Sequence, residues 1–254
     1  MSSNPVRIAV SLLIFVVLWE TLAALAGLPS WILPRPSQIF LEFVQDYREY
    51  LFQAGSTLVT TLAGFGLACV FGPILAVLIV YSRVFEGSVF PLLISFNSIP
   101  KIALAPLFVI WLGTGAQARI SVSFLIAFFP VVIDTVLGLR SVDPDALDLF
   151  RTMHGSRLQA LLKIRLPHAL PYLFSGLKVA ISFALVGAIA GEFIASQTGL
   201  GAAILVAQGM FQTPRVFVSL ILLGIMGAAL FYAVEFAERL VCPWHVSHRT
   251  TIRA

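Results

Sequence analysis

Two polar stretches interrupt an otherwise strongly apolar chain. In the first, FNSIPK, Pro100 is surrounded by three polar residues, Asn97, Ser98 and Lys101. The second, DPDALDLFRTMHGSRLQALLKIRLP at residues 143–167, carries charges of both signs over a length too great for a simple turn. The first offers amide, hydroxyl and ammonium groups that bind a solute, and the second offers a charged surface that binds a partner. The chemistry to expect is noncovalent recognition.

Covalent and metal chemistry find no support in the sequence. The histidines show no metal-ligand spacing with one another or with Cys69 and Cys242, so we expect no metal site and no cofactor. No G-x-x-x-x-G-K-[ST] phosphate loop occurs, so the chain does not hold ATP in the usual way. Energy for any transport must come from a partner or from an ion gradient.

The composition indicates that these residues are positioned by membrane helices. The 254-residue chain is 59% hydrophobic and 11% charged, with a mean hydropathy of +0.98, which predicts an all-α integral membrane protein of one domain. The net charge of +4 belongs to loops that set orientation, and we expect no nucleic-acid partner. Each span needs about 20 apolar residues. Six segments qualify: 8–27, 55–82, 88–113, 117–139, 171–195 and 215–240.

The first segment has a second interpretation. Arg7, the apolar run and Ala24-Leu25-Ala26 are also typical of a signal peptide with its cleavage site. The long run and Glu20 within it favour a retained helix. The following stretch, PRPSQIFLEFVQDYREYLFQ, predicts an amphipathic helix on the outer surface, where it packs against the first span.

Basic residues indicate that both termini lie in the cytoplasm. With that orientation ten basic residues lie inside: Arg7, Arg83, Arg140, Arg151, Arg157, Lys163, Arg165, Arg239, Arg249 and Arg253. Four lie outside: Arg35, Arg48, Arg119 and Arg215. Lys101 and Lys178 fall within spans and are not counted. Ten against four places the loop at 141–168 in the cytoplasm.

The cytoplasmic loop begins with a helix start signal. Asp143 is a side-chain cap, and Pro144 suits the first helical position. We expect the helix to end at Gly155 with a left-handed backbone, and Leu166-Pro167 to stop a second, basic helix before Pro171 opens span five. An apolar ridge on the loop is formed by Leu147, Phe150, Met153 and Leu158. Two interpretations stay open: a docking helix for a cytoplasmic partner, or a surface helix that only joins two spans.

The loop resembles the EAA loop of ATP-binding cassette importer permeases, which reads E-A-A, three residues, G, nine residues, I, one residue, L-P. Here the E position is Asp148, the A-A pair is Leu149-Phe150 and the G position is His154, with the glycine displaced to Gly155. Ile164 and Leu166-Pro167 close the motif. Three more stretches resemble the nitrate, sulfonate and taurine branch, which also takes pyrimidine and flavin precursors: FNSIPKIALAPLFVIWLGTG, GEFIASQTGLGAAI and ERLVCPWH.

The resemblance implies a type I importer permease fold with six transmembrane helices. It implies a homodimer in the cell membrane, two cytoplasmic ATP-binding subunits and a substrate-binding protein outside. It identifies the helix at 144–155 as the coupling helix. The residues expected to couple to the ATPase are Asp148, Phe150, Met153, His154, Gly155, Ile164, Leu166 and Pro167.

Polar residues inside spans are costly and are functional candidates. We expect the pathway to involve the break at Asn97, Ser98, Pro100 and Lys101. The alternative is a proline kink with Lys101 extending to the inner interface. Glu192 either hydrogen-bonds the turn at SQTGLGAAI or contacts the binding protein, and we also count it as a pathway candidate. Gly187 and Gly191 allow close helix approach, either between copies or within the chain.

The rival functional class is a secondary transporter driven by protons or sodium. It calls for a midplane acid and an inverted repeat, which the sequence lacks. A membrane-embedded enzyme is a weaker third hypothesis. The solute is expected to be a small organic or anionic molecule of the sulfonate, nitrate, taurine, pyrimidine-precursor or flavin-precursor class. Lys101 suits an anion, whereas the resemblance favours the pyrimidine or flavin-precursor type over nitrate.

Overall fold

The computed structural model describes residues 5–27 and 29–244, and every regular element in these ranges is helical. The all-α prediction is confirmed. The α-helices are α1 (Pro5–Leu25), α2 (Pro36–Gln45), α3 (Tyr47–Tyr81), α4 (Phe90–Asn97), α5 (Ala105–Leu112), α6 (Ala116–Arg140), α7 (Pro144–Thr152), α8 (Arg157–Ala160), α9 (Leu166–Ala195), α10 (Leu200–Gly209) and α11 (Thr213–Val241). A π-helical turn, Phe85–Val89, precedes α4; a 3₁₀ turn, Lys101–Leu104, precedes α5; and a second π turn, Leu161–Arg165, joins α8 to α9. His245, His248, Arg249 and Arg253 lie outside the described residues.

Four continuous helical stretches are long and apolar enough to cross a membrane: Tyr47–Tyr81, Ala116–Arg140, Arg157–Ile194 and Thr213–Val241. A fifth span results if Phe85–Asn97 and Lys101–Leu112 are counted together, although they are bent by 95°. The apolar part of α1, Val10–Leu25, is shorter. Two of these stretches begin earlier than the predicted spans 55–82 and 171–195. Polar turns that start at Tyr47 and Arg157 extend each helix beyond its apolar run.

The central helix is α6, which packs chiefly against α9 and α3. Glycines permit this approach: a Cβ atom at Gly187 would lie 2.7 Å from Ser123 Cα, and one at Gly191 would lie 2.9 Å from Arg119 Cα. Gly64 of α3 contacts Ser123 from the other side. The Gly187–Gly191 pair therefore serves packing within the chain rather than a seam between copies.

The short helix α2 lies at the end of the bundle where α6 begins. The Glu20 carboxylate accepts hydrogen bonds from Ser37 N at 3.0 Å and Ser37 Oγ at 2.8 Å, which binds the start of α2 to α1. Arg215 of α11 pairs with Glu42 at 2.8 Å and with Asp46. These contacts agree with the packing role predicted for α2. The hydrogen bonds from Ser37 explain why an acid, Glu20, is tolerated in the apolar helix α1.

One ion pair joins the middle of α9 to the C-terminal end of α11. Lys178 Nζ lies 2.8 Å from Glu238 Oε2, and the two side chains are 25% and 5% exposed. Cys242, fully buried one turn after Glu238, has its thiol pKa raised by burial and secondarily by that carboxylate. The pair fixes the end of α11 against the core.

Candidate functional site

The loop helix α7 begins as predicted. Asp143 caps it by accepting a hydrogen bond from Asp145 N at 3.0 Å, and Pro144 occupies the first turn, where its missing N–H costs nothing. Asp148 pairs with Arg151 at 2.8 Å on the exposed surface. The helix is thus defined at its start by its own sequence.

The end of α7 corrects the sequence prediction. His154, not Gly155, has the left-handed backbone, with φ of 61°. His154 N bonds Arg151 O at 2.9 Å and Gly155 N bonds Phe150 O at 3.1 Å, which closes the helix. Gly155 is required for a different reason, because a Cβ atom there would overlap the Phe150 ring. The left-handed residue lies at the position where the EAA motif has glycine.

This geometry predicts that His154→Gly stabilises the permease. A non-glycine residue in the left-handed region costs roughly 1–2 kcal/mol, and glycine removes most of that cost at the price of greater freedom in the unfolded chain. The net gain expected is about 0.5–1 kcal/mol in the free energy of unfolding, measured by denaturant titration in detergent. His168→Gly, inside α9, is the control and is expected to destabilise. A loss of stability in His154→Gly would contradict the strain argument.

The exposed face of α7 also differs from the predicted ridge. Leu149 and Met153 are 65% and 72% exposed, while Leu147 and Phe150 are half-buried against the body of the protein. Leu158, in α8, is exposed as predicted. The apolar surface available to a partner is therefore formed by Leu149, Met153 and Leu158.

The second half of the loop continues into the membrane without a stop. The stretch from Arg157 to Ile194 is one helical path, in which the π turn at Leu161–Arg165 leads directly into α9. The prediction that Leu166-Pro167 ends a helix is wrong: Pro167 lies in the first turn of α9 after the wider turn, where a missing N–H is tolerated. Pro171 likewise lies inside α9 rather than at its start. Ile164, Leu166 and Pro167 are half-buried and position the loop.

The predicted break in the third segment is present. α4 ends at Asn97, Ser98–Pro100 are non-helical, and the chain resumes at Lys101 at a right angle. Lys101 Nζ donates to Asn97 O at 3.0 Å and to Asn97 Oδ1 at 2.8 Å, and lies 4.7 Å from the centre of the Phe129 ring. Asn97, Ser98 and Pro100 are exposed.

The position of Phe129 gives the depth of the Lys101 ammonium. Phe129 lies midway between Arg119 and Arg140, about 15 Å from each along α6 at about 1.5 Å per residue. A bilayer core is about 30 Å thick, so the ammonium lies near mid-depth. The pathway role of Lys101 and its extension to the inner interface both stay predictions. Among the described residues no carboxylate forms a salt bridge with Lys101.

Glu192 is a packing residue at the end of the bundle where α6 begins. Its side chain is 1% exposed, and Oε2 accepts hydrogen bonds from Gly201 N at 2.8 Å and Thr57 Oγ1 at 3.0 Å. Thr57 Oγ1 in turn accepts from Leu200 N at 2.8 Å. These bonds satisfy the first N–H groups of α10. Glu192 therefore hydrogen-bonds the turn at SQTGLGAAI, which is the first of the two roles predicted for it. The pathway assignment of Glu192 is corrected, because a carboxylate enclosed in this way lines no open space.

Comparison with known proteins gives the family. Residues 64–244 match the family model described as a binding-protein-dependent transport system inner membrane component. The riboflavin transport system permease protein RibX of Chloroflexus aurantiacus is 34% identical, over 94% of this chain and 90% of its own length. This chain belongs to that family, the permeases of ATP-binding cassette importers. The identification made from the EAA loop and the other motifs is confirmed.

Further comparisons agree. The formylaminopyrimidine transport permease protein ThiX of Halalkalibacterium halodurans is 34% identical, over 91% of this permease and 93% of its own length. An inward-facing structure of the MetNI methionine transporter covers 73% of this permease and 93% of its own chain, with a TM-score of 0.63 at 23% identity, which shows the shared fold. The secondary-transporter hypothesis is therefore set aside.

Sequence reasoning missed one cluster of this permease. Arg119 Nη1 donates to Ser196 Oγ at 2.9 Å and Thr198 O at 3.1 Å, which ties the start of α6 to the turn before α10. The sequence identifies Arg119 only as an outer-loop charge. The signal was its position in the first turn of α6 opposite a serine- and threonine-rich turn, but no local pattern identifies the partner.

Proposed function

We propose that this permease pairs with a second copy to form the pathway of an ATP-driven importer, coupled through α7 to two cytoplasmic ATP-binding subunits. A substrate-binding protein delivers the solute from outside. The observation that carries the proposal is α7 itself: a helix capped by Asp143, closed at His154, and presenting Leu149 and Met153 away from the body. An exposed apolar face beside charges suits a protein socket.

The cytoplasmic location of α7 is supported by how the basic residues are divided between the two ends of the bundle. Arg140, Arg157 and Arg165 lie at the α7 end, whereas Arg119 and Arg215 lie at the opposite end and are bonded there to acids or to turn oxygens. The larger basic cluster marks the inner side. We infer that both termini are cytoplasmic.

The proposed pathway follows the break between α4 and α5. Lipid provides no hydrogen bonds for an exposed amide, hydroxyl or ammonium, so irregular backbone at mid-depth is tolerated only beside protein or water. Asn97, Ser98 and Lys101 are at least partly exposed in the single chain. A second copy that encloses this face would leave a wet cavity lined by these groups.

For the solute, we propose a small nitrogen heterocycle of the pyrimidine or flavin-precursor type. The two relatives that support this are the permeases named for riboflavin and formylaminopyrimidine. The Lys101 ammonium has a donor beyond the two that Asn97 accepts, and this donor suits a ring nitrogen or carbonyl oxygen.

The proposal is tested by reconstitution. The permease is co-expressed with the ATP-binding subunit and binding protein encoded beside it, purified, and placed in vesicles. Radiolabelled heterocycle uptake that needs both ATP and the loaded binding protein is the expected result. Uptake driven by a proton or sodium gradient without the ATP-binding subunit would contradict the proposal.

Lys101→Ala is expected to lower uptake at least about tenfold while the complex assembles normally, because a charge-assisted hydrogen bond is worth about 1.5–3 kcal/mol. Uptake is measured at equal permease content, and assembly by co-purification of the ATP-binding subunit. Lys163→Ala, which removes an exposed lysine of the loop, is the control. Wild-type uptake in Lys101→Ala would remove Lys101 from the pathway.

A further inference from the structure

A basic cleft lies between α7 and the body of the permease. It has a volume of about 200 Å³ and is lined by Tyr81, Leu147, Ser156 and three arginines, Arg151, Arg157 and Arg165. No aspartate or glutamate lines it. A cleft lined by three guanidinium groups favours an anion.

Tyr81 contacts two of these residues, Arg165 through its guanidinium and Arg157 through its backbone carbonyl. The Arg165 guanidinium lies 5.6 Å from the centre of the Tyr81 ring and donates to Leu139 O at 3.3 Å. The Tyr81 hydroxyl donates to the Arg157 carbonyl at 3.4 Å. Arg165 is thus held before any ligand binds, and a planar guanidinium held in this way binds phosphate oxygens in pairs.

The positive charge of the cleft is only partly neutralised. Arg151 pairs with Asp148, and the neighbouring Arg140 pairs with Glu86 at 2.9 Å. In the part of the chain that the structure describes, no carboxylate forms a salt bridge with Arg157 or Arg165. These two charges remain available to a ligand.

Docking of a partner on α7 leaves the cleft open. Leu147 and Arg151, one turn apart on α7, line the cleft, whereas Leu149 and Met153 project from another face of the helix. The cleft therefore lies on the membrane side of α7, and the surface proposed for the ATP-binding subunit lies on the other.

The surroundings of the cleft match the headgroup level of a bilayer. Tyr81 is the last residue of α3, and the preceding turns of α3 expose Ile74 (53%) and Leu78 (42%) to the membrane. Leu162 adds an exposed apolar side chain beside the cleft. The acyl chains of a lipid whose phosphate lies in the cleft would therefore run along these exposed apolar residues.

We propose that the cleft binds the phosphate of an anionic phospholipid from the inner leaflet, and that the bound lipid braces α7 against the membrane domain. Basic pockets at this level attract acidic headgroups. The inference rests on the cytoplasmic location of α7 in the proposed function. It assigns to Tyr81, Arg157 and Arg165 a ligand that the transport function does not use.

The test uses the full permease with its ATP-binding subunit in nanodiscs of phosphatidylcholine with or without phosphatidylglycerol. A fluorescent phosphatidylglycerol reports binding, and uptake measured in vesicles from the same preparation tests the proposed function separately. The variant Arg157→Gln/Arg165→Gln is expected to weaken phosphatidylglycerol binding at least about tenfold. Arg83→Gln, an exposed arginine that lines no part of the cleft, is the control.

Each outcome decides the proposal. Binding lost in the double variant and kept in Arg83→Gln, with no displacement by inorganic phosphate at millimolar concentration, supports a lipid site. Displacement by phosphate with equal binding of phosphate in lipid-free detergent would assign the cleft to the free anion and overturn the lipid source. Equal phosphatidylglycerol binding in the wild type and the double variant would overturn the site. Arg165→Lys keeps the charge but loses the planar contact with Tyr81, and intermediate binding is expected.

Discussion

Replacing Glu238 by alanine is expected to lower the free energy of unfolding by about 3–5 kcal/mol, because it leaves the Lys178 ammonium without its partner inside the bundle. Both side chains are largely buried, so solvent does little to screen the remaining charge. The consequence is local as well as global: α11 loses its polar attachment to α9. The measurement is unfolding of the purified permease in mixed micelles with increasing dodecyl sulfate.

A matched control lies one turn earlier on the same helix. Glu235 is 25% exposed and pairs with Arg239, which is 60% exposed, so solvent reaches this pair from the arginine side, and pairs open to solvent contribute about 0–1 kcal/mol. Glu235→Ala should therefore cost little. The double variant Lys178→Met/Glu238→Leu removes both charges and should recover most of the stability. Equal losses in Glu238→Ala and Glu235→Ala would show that the buried pair has no special role.

Local signals in the sequence predicted the elements of this permease well. Asp143-Pro144 starts α7, and Pro100 breaks the third segment, because each acts through its own backbone and immediate neighbours. Hydropathy located four of the six predicted spans as continuous helices among the described residues, since composition decides whether a helix suits lipid. These features depend on a few consecutive residues.

The errors have a common physical cause. Gly155 was expected to be left-handed because glycine favours that region, but the closing hydrogen bonds place the positive φ at His154. The Phe150 ring then requires glycine at 155, a contact that propensity does not contain. Pro167 was expected to stop a helix, but a π turn upstream accommodates it. In each case hydrogen bonding beyond the nearest residue overrides the local preference.

Long-range partners lay outside what the sequence predicts. Lys178 and Glu238 are 60 residues apart, and Arg119 lies 77 residues from Ser196. Without structural information, each was only a charge in or near a span. Glu192 was ambiguous for the same reason, since its role depends on Thr57 of another helix.

Gly155→Val is expected to abolish most stimulation of ATP hydrolysis by loaded binding protein. The new side chain would displace the Phe150 ring, on which the closing turn of α7 packs, and so change the angle at which Leu149 and Met153 are presented. The membrane core is not touched, so insertion and the proposed pairing with a second copy should persist. Gly66→Val is the control, because Gly66 lies in α3 with open space around its Cβ position. Stimulation is measured in vesicles, and the ATP-binding subunit is co-purified in parallel.

Asp148→Lys tests the charged face of the same helix. It breaks the pair with Arg151, an exposed pair worth about 0–1 kcal/mol, and reverses a charge in the second turn of α7, beyond the first turn where the helix dipole acts most strongly. These internal losses are too small to unfold the loop, so a large loss of stimulation must come from the contact with the partner. The swap Asp148→Arg/Arg151→Asp separates the two causes. The swap restores an internal ion pair but keeps a positive charge at position 148. Stimulation of ATP hydrolysis should stay low if the partner contacts the charge at this position, and should recover if only the internal pair matters. Full stimulation and normal co-purification in Asp148→Lys and Gly155→Val together would reduce α7 to a connector between spans, and coupling would then have to pass through another surface of the permease.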